Sequence, residues 1–507
     1  MYRCILSRLS CCGSIRLSAF AVVAIALLGG GCMLGPNYQP PPVDIEDQWN
    51  YQHDKRIDSS ELIDPLWWQS AFSDEALDEL ILLAVENNLE LRSAALRAIQ
   101  AQQILAIAVG NQFPQTQQLD ALVDRSKYVR SGITSNVQSE FYPNFNLTWE
   151  LDIWGELRRL VNSAAADLKA SMAVYDGALI SIVAQVAQTY ISIRTTKRRL
   201  VVARENIRVQ KESLRIAQVK FRAGEVSALD AEQAQALLSN TEASIPSLGI
   251  TLQQLKNALA ILLGVPPGGI NYIVSLPSTI PYTPTVITIG MPQDLLRQRP
   301  DIRAAEYRLA AQGELIGVAR AELYPNFSIG GEIGAIDIRG GQLNGSSDAW
   351  DIFVEFNWNI FNYGRLKSNV RLQDAIFQQL VSDYQQVVLL AQADAENAIV
   401  AYLKSQQQLA HYEVAADASK NSVNISLSQY TGGQVEFDTV ITTLVSDVQQ
   451  QDILAVARGV VAVNLVQVYL SLGGGWQIND GLAPVELLPE EVWKEMRNRI
   501  PYWNKLK

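Results

Sequence analysis

The sequence predicts a mixed α and β membrane protein made by internal duplication. Each chain supplies four membrane-length strands and two very long helices. Three observations carry that prediction. First, landmarks recur between the two halves. Leu91-Arg92 pairs with Ile302-Arg303, and Phe113-Pro114 with Tyr324-Pro325, at an offset of 211; Trp154-Gly155 pairs with Tyr363-Gly364, and Gly224 with Gly433, at 209. A period this long marks a duplication, not a solenoid of short repeats. Second, two runs alternate with period 2. Phe145, Leu147, Trp149, Leu151 and Ile153 share one face, with Asn146, Thr148, Glu150 and Asp152 on the other; Trp350, Ile352, Val354, Phe356, Trp358 and Ile360 repeat the pattern. Third, no proline interrupts Gly155 to Phe221 or Gly364 to Tyr430, so each stretch makes about 100 Å of helix at 1.5 Å per residue.

Composition excludes several function classes. Of 507 residues, 48% are hydrophobic and 18% charged, too apolar for a disordered chain. With 41 basic against 52 acidic residues, the chain lacks the basic balance that nucleic acid requires. All four cysteines (Cys4, Cys11, Cys12, Cys32) lie at the N-terminus, and the only histidines are His53 and His411. The body therefore offers neither a disulfide framework nor a Cys/His metal site. Gly330-Gly331 and Gly473 to Gly475 are not followed by Lys-Ser/Thr, so they are not phosphate loops. No catalytic grouping can be assembled, and neither an enzyme nor a cofactor is expected.

The elements follow in order. Arg3, Arg8 and Arg16 precede an apolar run from Phe20 to Leu28 that is too short to span a bilayer and suits the core of a signal peptide, residues 1–31. Cys32, after Gly29-Gly30-Gly31, resembles the acylated cysteine of a bacterial lipoprotein, although Gly29 stands where Leu is usual. A covalent lipid on Cys32 is expected, followed by an extended segment over 32–71. Repeat 1 occupies 72–263, with strands at 115–125 and 143–154, a long helix at 156–221 and a return helix at 227–263. A Pro/Gly-rich linker spans 264–291. Repeat 2 occupies 292–472, with strands at 326–337 and 349–361, a long helix at 364–430 and a return helix at 436–472. Residues 473–507 close the chain. No helix of the body is expected to be apolar enough to cross a membrane. On the first long helix Leu179, Ile182, Val183, Val186, Tyr190 and Ile193 form one stripe, opposite Ser181, Gln185, Gln188, Ser192 and Arg199.

Strands of about ten residues match a tilted crossing of the bilayer core, but four cannot close a barrel, and open edges in lipid leave backbone groups unpaired. Copies must therefore share one barrel. Two chains give eight strands, whose interior side chains fill, and three give twelve, which can hold water. If the polar strand faces line a pore, three chains are favoured.

Gly31 to Pro42, Glu150-Leu-Asp-Ile-Trp-Gly-Glu-Leu-Arg-Arg159, Leu262 to Gly268, and Arg299-Pro-Asp-Ile-Arg-Ala-Ala-Glu306 running on to Pro325 together resemble the TolC-like outer membrane factors, in their lipoprotein branch. The resemblance spans about residues 32–475. It implies a trimeric 12-stranded transmembrane β-barrel continued by a long α-helical periplasmic tunnel. It also implies passive efflux of small molecules through the outer membrane, driven by an inner-membrane transporter of the RND type through a periplasmic adaptor. The turns Phe221, Arg222, Ala223, Gly224 and Tyr430, Gly432, Gly433 would form the tips that meet the adaptor. Relatives narrow the tunnel near the tip with aspartates. Here the candidates are Asp417 or, in its place, the amides Asn421 and Asn424, since no Asp lies in the last three turns before Tyr430. Two alternatives remain: the outer-membrane duct of type I protein secretion, and a periplasmic coiled-coil scaffold.

Overall fold

The computed structural model describes residues 33–60, 63–127, 129–130, 133–134, 137–269, 279–294, 298–336 and 347–505. The expected signal peptide and Cys32 lie outside these residues. In chain order the elements are β1 (Ile57–Asp58), α1 (Trp67–Phe72), α2 (Glu75–Asn87), α3 (Leu89–Gly110), β2 (Thr116–Ser126), β3 (Val129–Arg130), β4 (Ile133–Thr134), β5 (Gln138–Leu151), α4 (Glu156–Arg222) and α5 (Ala228–Leu262). Within the linker lies β6 (Ile287–Thr288), and after it come α6 (Pro300–Ala321), β7 (Asn326–Ile336), β8 (Ser347–Asn357), α7 (Arg365–Thr431), α8 (Phe437–Ser471) and α9 (Glu490–Arg499). The chain forms two compact units. The first takes the described residues through Pro42 with Ile99–Ala170 and Ala305–Tyr384; the second takes the remainder.

The first unit centres on a four-stranded antiparallel sheet in the order β2-β5-β7-β8. Its register sets Leu119 opposite Phe145, Phe145 opposite Ile333, and Phe327 opposite Phe356. Because side chains alternate along each strand, this register collects the apolar residues on one face. That face is exposed, with Leu119 at 80% and Val354 at 71%. The other face is polar and hydrogen-bonded across strands. Asn146 Nδ2 donates to Asp120 at 2.7 Å, Tyr142 Oη to Glu332 at 2.6 Å, and Asn144 Nδ2 to Glu332 at 3.3 Å. Phe353 also lies on this face, and its ring fills the space a side chain at Gly330 would take.

Strand limits differ from those the alternation predicts. β5 starts at Gln138, not 143, because β2 continues to Ser126 and offers partners as far as Gln138. It ends at Leu151, not 154, because Asp152 turns to cap α4: its carboxylate accepts from the backbone N–H groups of Leu157 and Arg158 at 3.1 and 3.0 Å. β8 covers 347–357, not 349–361.

The second unit is helical. Both long helices have 67 residues and both return helices 35, as duplication requires. Leu179, Ile182, Val183, Val186, Tyr190 and Ile193 are all buried, which accounts for their spacing on α4. Contrary to expectation, α4 and α8 each contain an 18-residue window apolar enough to cross a membrane; 61% of the window in α4 and 44% of that in α8 is buried within the chain. Mutual packing of long helices, rich in Ala and Val, produces the same apolar density as a membrane span. The parallel pair β1–β6 sets Ile57 beside Ile287, joining the N-terminal segment to the inter-repeat linker.

The Arg-Pro-Asp-Ile-Arg segment pins the start of α6. Arg299 Nη1 donates to the carbonyl of Ser471 at 2.7 Å, and its guanidinium pairs with Asp301. The Arg303 guanidinium stacks over Trp476 at 4.2 Å and reaches Asp176 at 3.2 Å. Burial pushes the Asp176 carboxyl up to about 6 despite Arg303 pulling it down.

Candidate functional site

Two helical hairpins carry the predicted tip residues. Each long helix ends in the same backbone turn. Glu225 N donates to Lys220 O and Gly224 N to Phe221 O; in repeat 2, Gln434 N donates to Gln429 O and Gly433 N to Tyr430 O. Gly224 and Gly433 hold φ of +75° and +72°, the left-handed region that glycine enters without steric cost. Phe221, Arg222, Ala223, Gly224, Gly432 and Gly433 are exposed.

Tyr430 is not exposed. It sits in a buried cluster with Ala217, Ala234, Val423, Phe437, Val440 and Leu444, which draws on all four hairpin helices. Its ring lies 5.0 Å from that of Phe437, and its hydroxyl donates to Asp230 Oδ2 at 3.2 Å. The Lys220 ammonium stands 5.0 Å from the ring centroid. Burial, then the charge of Asp230, pushes the Tyr430 hydroxyl up to about 12. A second tie joins the hairpins farther along: Arg199 grips Asp452 in a two-pronged pair at 2.7 and 3.0 Å. Sequence reasoning placed Tyr430 with the contact residues and missed its inward role. The available signal was its helical phase with Val423, seven residues earlier on the same helix.

Asp417, Asn421 and Asn424 all fall on the exposed face of α7. Their spacing makes one polar stripe, away from buried Ala416, Ser419, Val423 and Ser426. His411 is also exposed on α7, and His53 lies in the irregular N-terminal segment. Among the described residues, no group of three His, Cys, Asp or Glu is placed to hold a metal.

At the strand–helix boundary, three indoles brace the backbone. Trp149 donates to Gln112 O at 3.2 Å, and its counterpart Trp358 donates to Leu323 O at 3.1 Å. Trp154 donates to Pro325 O at 2.7 Å and packs on Tyr324, ring centroids 5.0 Å apart. Tryptophans of this amphipathic kind suit a membrane interface. Beside them, residues 33–37 enter the fold. Leu34 N donates to Trp154 O at 3.0 Å. Arg159, 1% exposed, donates to the carbonyls of Leu34 and Gly35, to Asn37 Oδ1, and to Glu314 at 2.8 Å. Met33, one residue after Cys32, lies against Gly155. Nothing in the sequence distinguished buried Arg159 from its neighbour Arg158.

A cleft of about 440 Å³ at the same boundary is lined by Glu150, Asp152, Glu156, Glu322 and Arg365, among others. Burial pushes the Glu156 carboxyl up to about 7, helped by the charges of Glu150, Glu322 and Asp152.

Comparison with known proteins gives one consistent result. The family described as outer membrane efflux protein matches residues 80–265 and 291–474, one segment per repeat. The chain is 29% identical to the outer membrane protein OprJ of Pseudomonas aeruginosa over 483 residues, covering 91% of this chain and 97% of OprJ. It is 27% identical to the probable outer membrane lipoprotein SilC of Salmonella typhimurium over 479 residues, covering 91% and 99%. The solved structure of the outer-membrane channel OprN superimposes with a TM-score of 0.83 at 30% identity, covering 88% of this chain and all of that one.

Proposed function

The chain belongs to the outer membrane efflux protein family, and we propose that three copies form the outer-membrane duct of a tripartite efflux system. The duct passively conducts small molecules, delivered by an inner-membrane pump of the RND type through a periplasmic adaptor, to the exterior. One observation carries this reading: the sheet has one face apolar and exposed, the other polar and internally hydrogen-bonded, and its edges β2 and β8 have no strand partner among the described residues. Lipid covers the apolar face, water fills the space before the polar one, and neighbouring copies satisfy the edges. Twelve strands leave a lumen that eight would fill with side chains.

The exposed tips of the two hairpins meet the adaptor through Phe221, Arg222, Ala223, Gly224, Gly432 and Gly433, with Tyr430 holding them from behind. The stripe of Asp417, Asn421 and Asn424 lines the narrow end of the tunnel. A lipid on Cys32 anchors the segment that Arg159 receives. Similarity to a probable lipoprotein supports that anchor.

Reconstitution into planar bilayers tests the duct directly. Discrete conductance steps are expected, whereas a coiled-coil scaffold conducts nothing. Cross-linking in cells followed by identification of neighbours separates efflux from type I protein secretion through the transporter recovered. Recovery of a protein-secreting transporter overturns the small-molecule reading.

A further inference from the structure

The sheet carries an apolar hollow on its exposed face, and we infer that this hollow seats an acyl chain of the lipid borne by Cys32. The anchor is then a ligand bound along the sheet, not a tether loose in the bilayer. This rests on the reading of Cys32 as lipidated and adds to it a binding site.

The Gly330-Gly331 pair makes the hollow. The two glycines lie on opposite faces of β7. On the polar face the ring of Phe353 fills the space beside Gly330. On the apolar face Gly331 lies between Leu147 and Ile352, its partners on β5 and β8. Ile329 and Ile333 flank it along its own strand. With Phe145 and Trp350 these side chains wall a space of about 440 Å³, floored by the backbone of Gly331. Glu332 and Asp351 also border it, but the register turns both side chains to the polar face. In hydrocarbon such a notch takes up a hydrocarbon chain, because a gap forfeits dispersion contacts.

The start of the described chain selects the occupant. Met33 is exposed and lies against Gly155, where a side chain would begin 2.6 Å from Met33 Cγ. Leu34 N donates to Trp154 O, and the Trp154 indole donates to Pro325 O at the foot of β7. Arg159 holds the carbonyls of Leu34 and Gly35 and the side-chain oxygen of Asn37. Cys32 is one peptide from Met33, about 3.8 Å between Cα atoms. Its lipid is therefore delivered to the foot of the β5–β7 pair, which borders the hollow.

Depth agrees with that delivery. Gly331 stands six residues beyond Pro325, about 20 Å along a strand at about 3.3 Å per residue. A strand tilt of about 40° turns this into a depth of about 15 Å. The hydrocarbon core is about 30 Å thick, so an acyl chain rooted at one interface ends near Gly331.

The other repeat lacks both features. Pairing within each repeat, Thr116 with Thr148 and Asn326 with Asn357, makes Ala121 the counterpart of Gly331. Its methyl group takes part of the space that glycine leaves. Gly364, the counterpart of Gly155, has nothing within 4 Å among the described residues. Hollow and chain entry thus occur together on one strand pair. A lipid fixed at that entry has a high effective concentration at the hollow, an advantage that freely diffusing lipid lacks.

The test uses the full chain in outer membranes from cells fed a fatty acid with a diazirine near its end. After irradiation and digestion, mass spectrometry locates the cross-links. The expected product joins the Cys32 peptide, through its own acyl chain, to Leu147, Ile329 or Ile352. Ile352→Trp fills the hollow from the side without straining Gly331, and the links to Leu147 and Ile329 should fall roughly tenfold, since a filled space excludes the chain. Val123→Trp, on the same face of β2, should leave them unchanged. An acylated Cys32 whose chain links only to phospholipid or to other parts of the sheet overturns the inference, as do phospholipid adducts alone at the hollow. Undiminished links in Ile352→Trp also overturn it. The wild-type map decides even if Ile352→Trp assembles poorly. An intact mass showing unmodified Cys32 overturns the lipidation reading instead.

Discussion

Arg159 shows how much one side chain decides at the strand–helix boundary. Its guanidinium serves two carbonyls, an amide oxygen and Glu314 with almost no solvent contact. Arg159→Ala leaves these acceptors and the Glu314 charge unpaired, at a cost of about 3–5 kcal/mol. A lowered unfolding temperature and protease cleavage of the segment near Asn37 should follow, and Arg159→Lys should recover little, because an ammonium lacks the forked donor geometry. Glu156 supplies a pH test. Its folded carboxyl, at about 7, holds a proton far more tightly than in the unfolded chain. The stabilisation this gives is complete below the unfolded pKa and disappears as pH rises through about 7. Glu156→Gln should flatten the fall in thermal stability between pH 5 and about 8, measured by circular dichroism. At the tip, Tyr430→Phe removes the hydroxyl bond to Asp230 while keeping the ring against Phe437, a loss of about 1 kcal/mol. Faster hydrogen exchange at the ends of α5 and α7 would report it.

At the level of elements, the strands allow the sharpest substitution. Trp149→Asp with Phe356→Asp places two carboxylates on the face assigned to lipid, where charge is costly. Loss of the protein from outer-membrane fractions is expected; normal assembly would mean the faces are inverted. Much of this level was legible in advance. Period-2 alternation picked out the exposed apolar face from Trp350 to Phe356, because a strand sends successive side chains to opposite faces. Proline-free length found both long helices, because an interior proline removes a ladder hydrogen bond and disfavours a long straight rod, although the return helix α5 tolerates one at Pro246. Strand limits were less legible, since pairing partners set them: β5 reaches Gln138 only because β2 reaches Ser126. The inward turn of Tyr430 and the burial of Arg159 were invisible for a related reason. Both depend on residues distant in sequence, Asp230 and Glu314, whose proximity no local pattern encodes. The apolar windows of α4 and α8 show the converse limit, because helix-on-helix burial and membrane burial select the same residues.

For the whole molecule, duplication is an economical route to the proposed pore. Two repeats give each chain one complete seam, and β2 and β8 have no strand partner among the described residues, edges that the proposed assembly closes with neighbouring copies. The acidic balance of the chain, 52 acidic against 41 basic residues, predicts a lumen that favours cations. Reversal potentials across a salt gradient should shift in the cation-selective direction. The central claim is that copies jointly wall one aqueous conduit with their polar sheet faces inward. Adjacent positions on β8 test it most directly. Val354 and Glu355 point to opposite faces, so Val354→Cys and Glu355→Cys can be compared for reaction with a membrane-impermeant thiol reagent in reconstituted vesicles. The account predicts rapid labelling at position 355 and protection at 354. Equal labelling at both, or labelling at 354 alone, would contradict it.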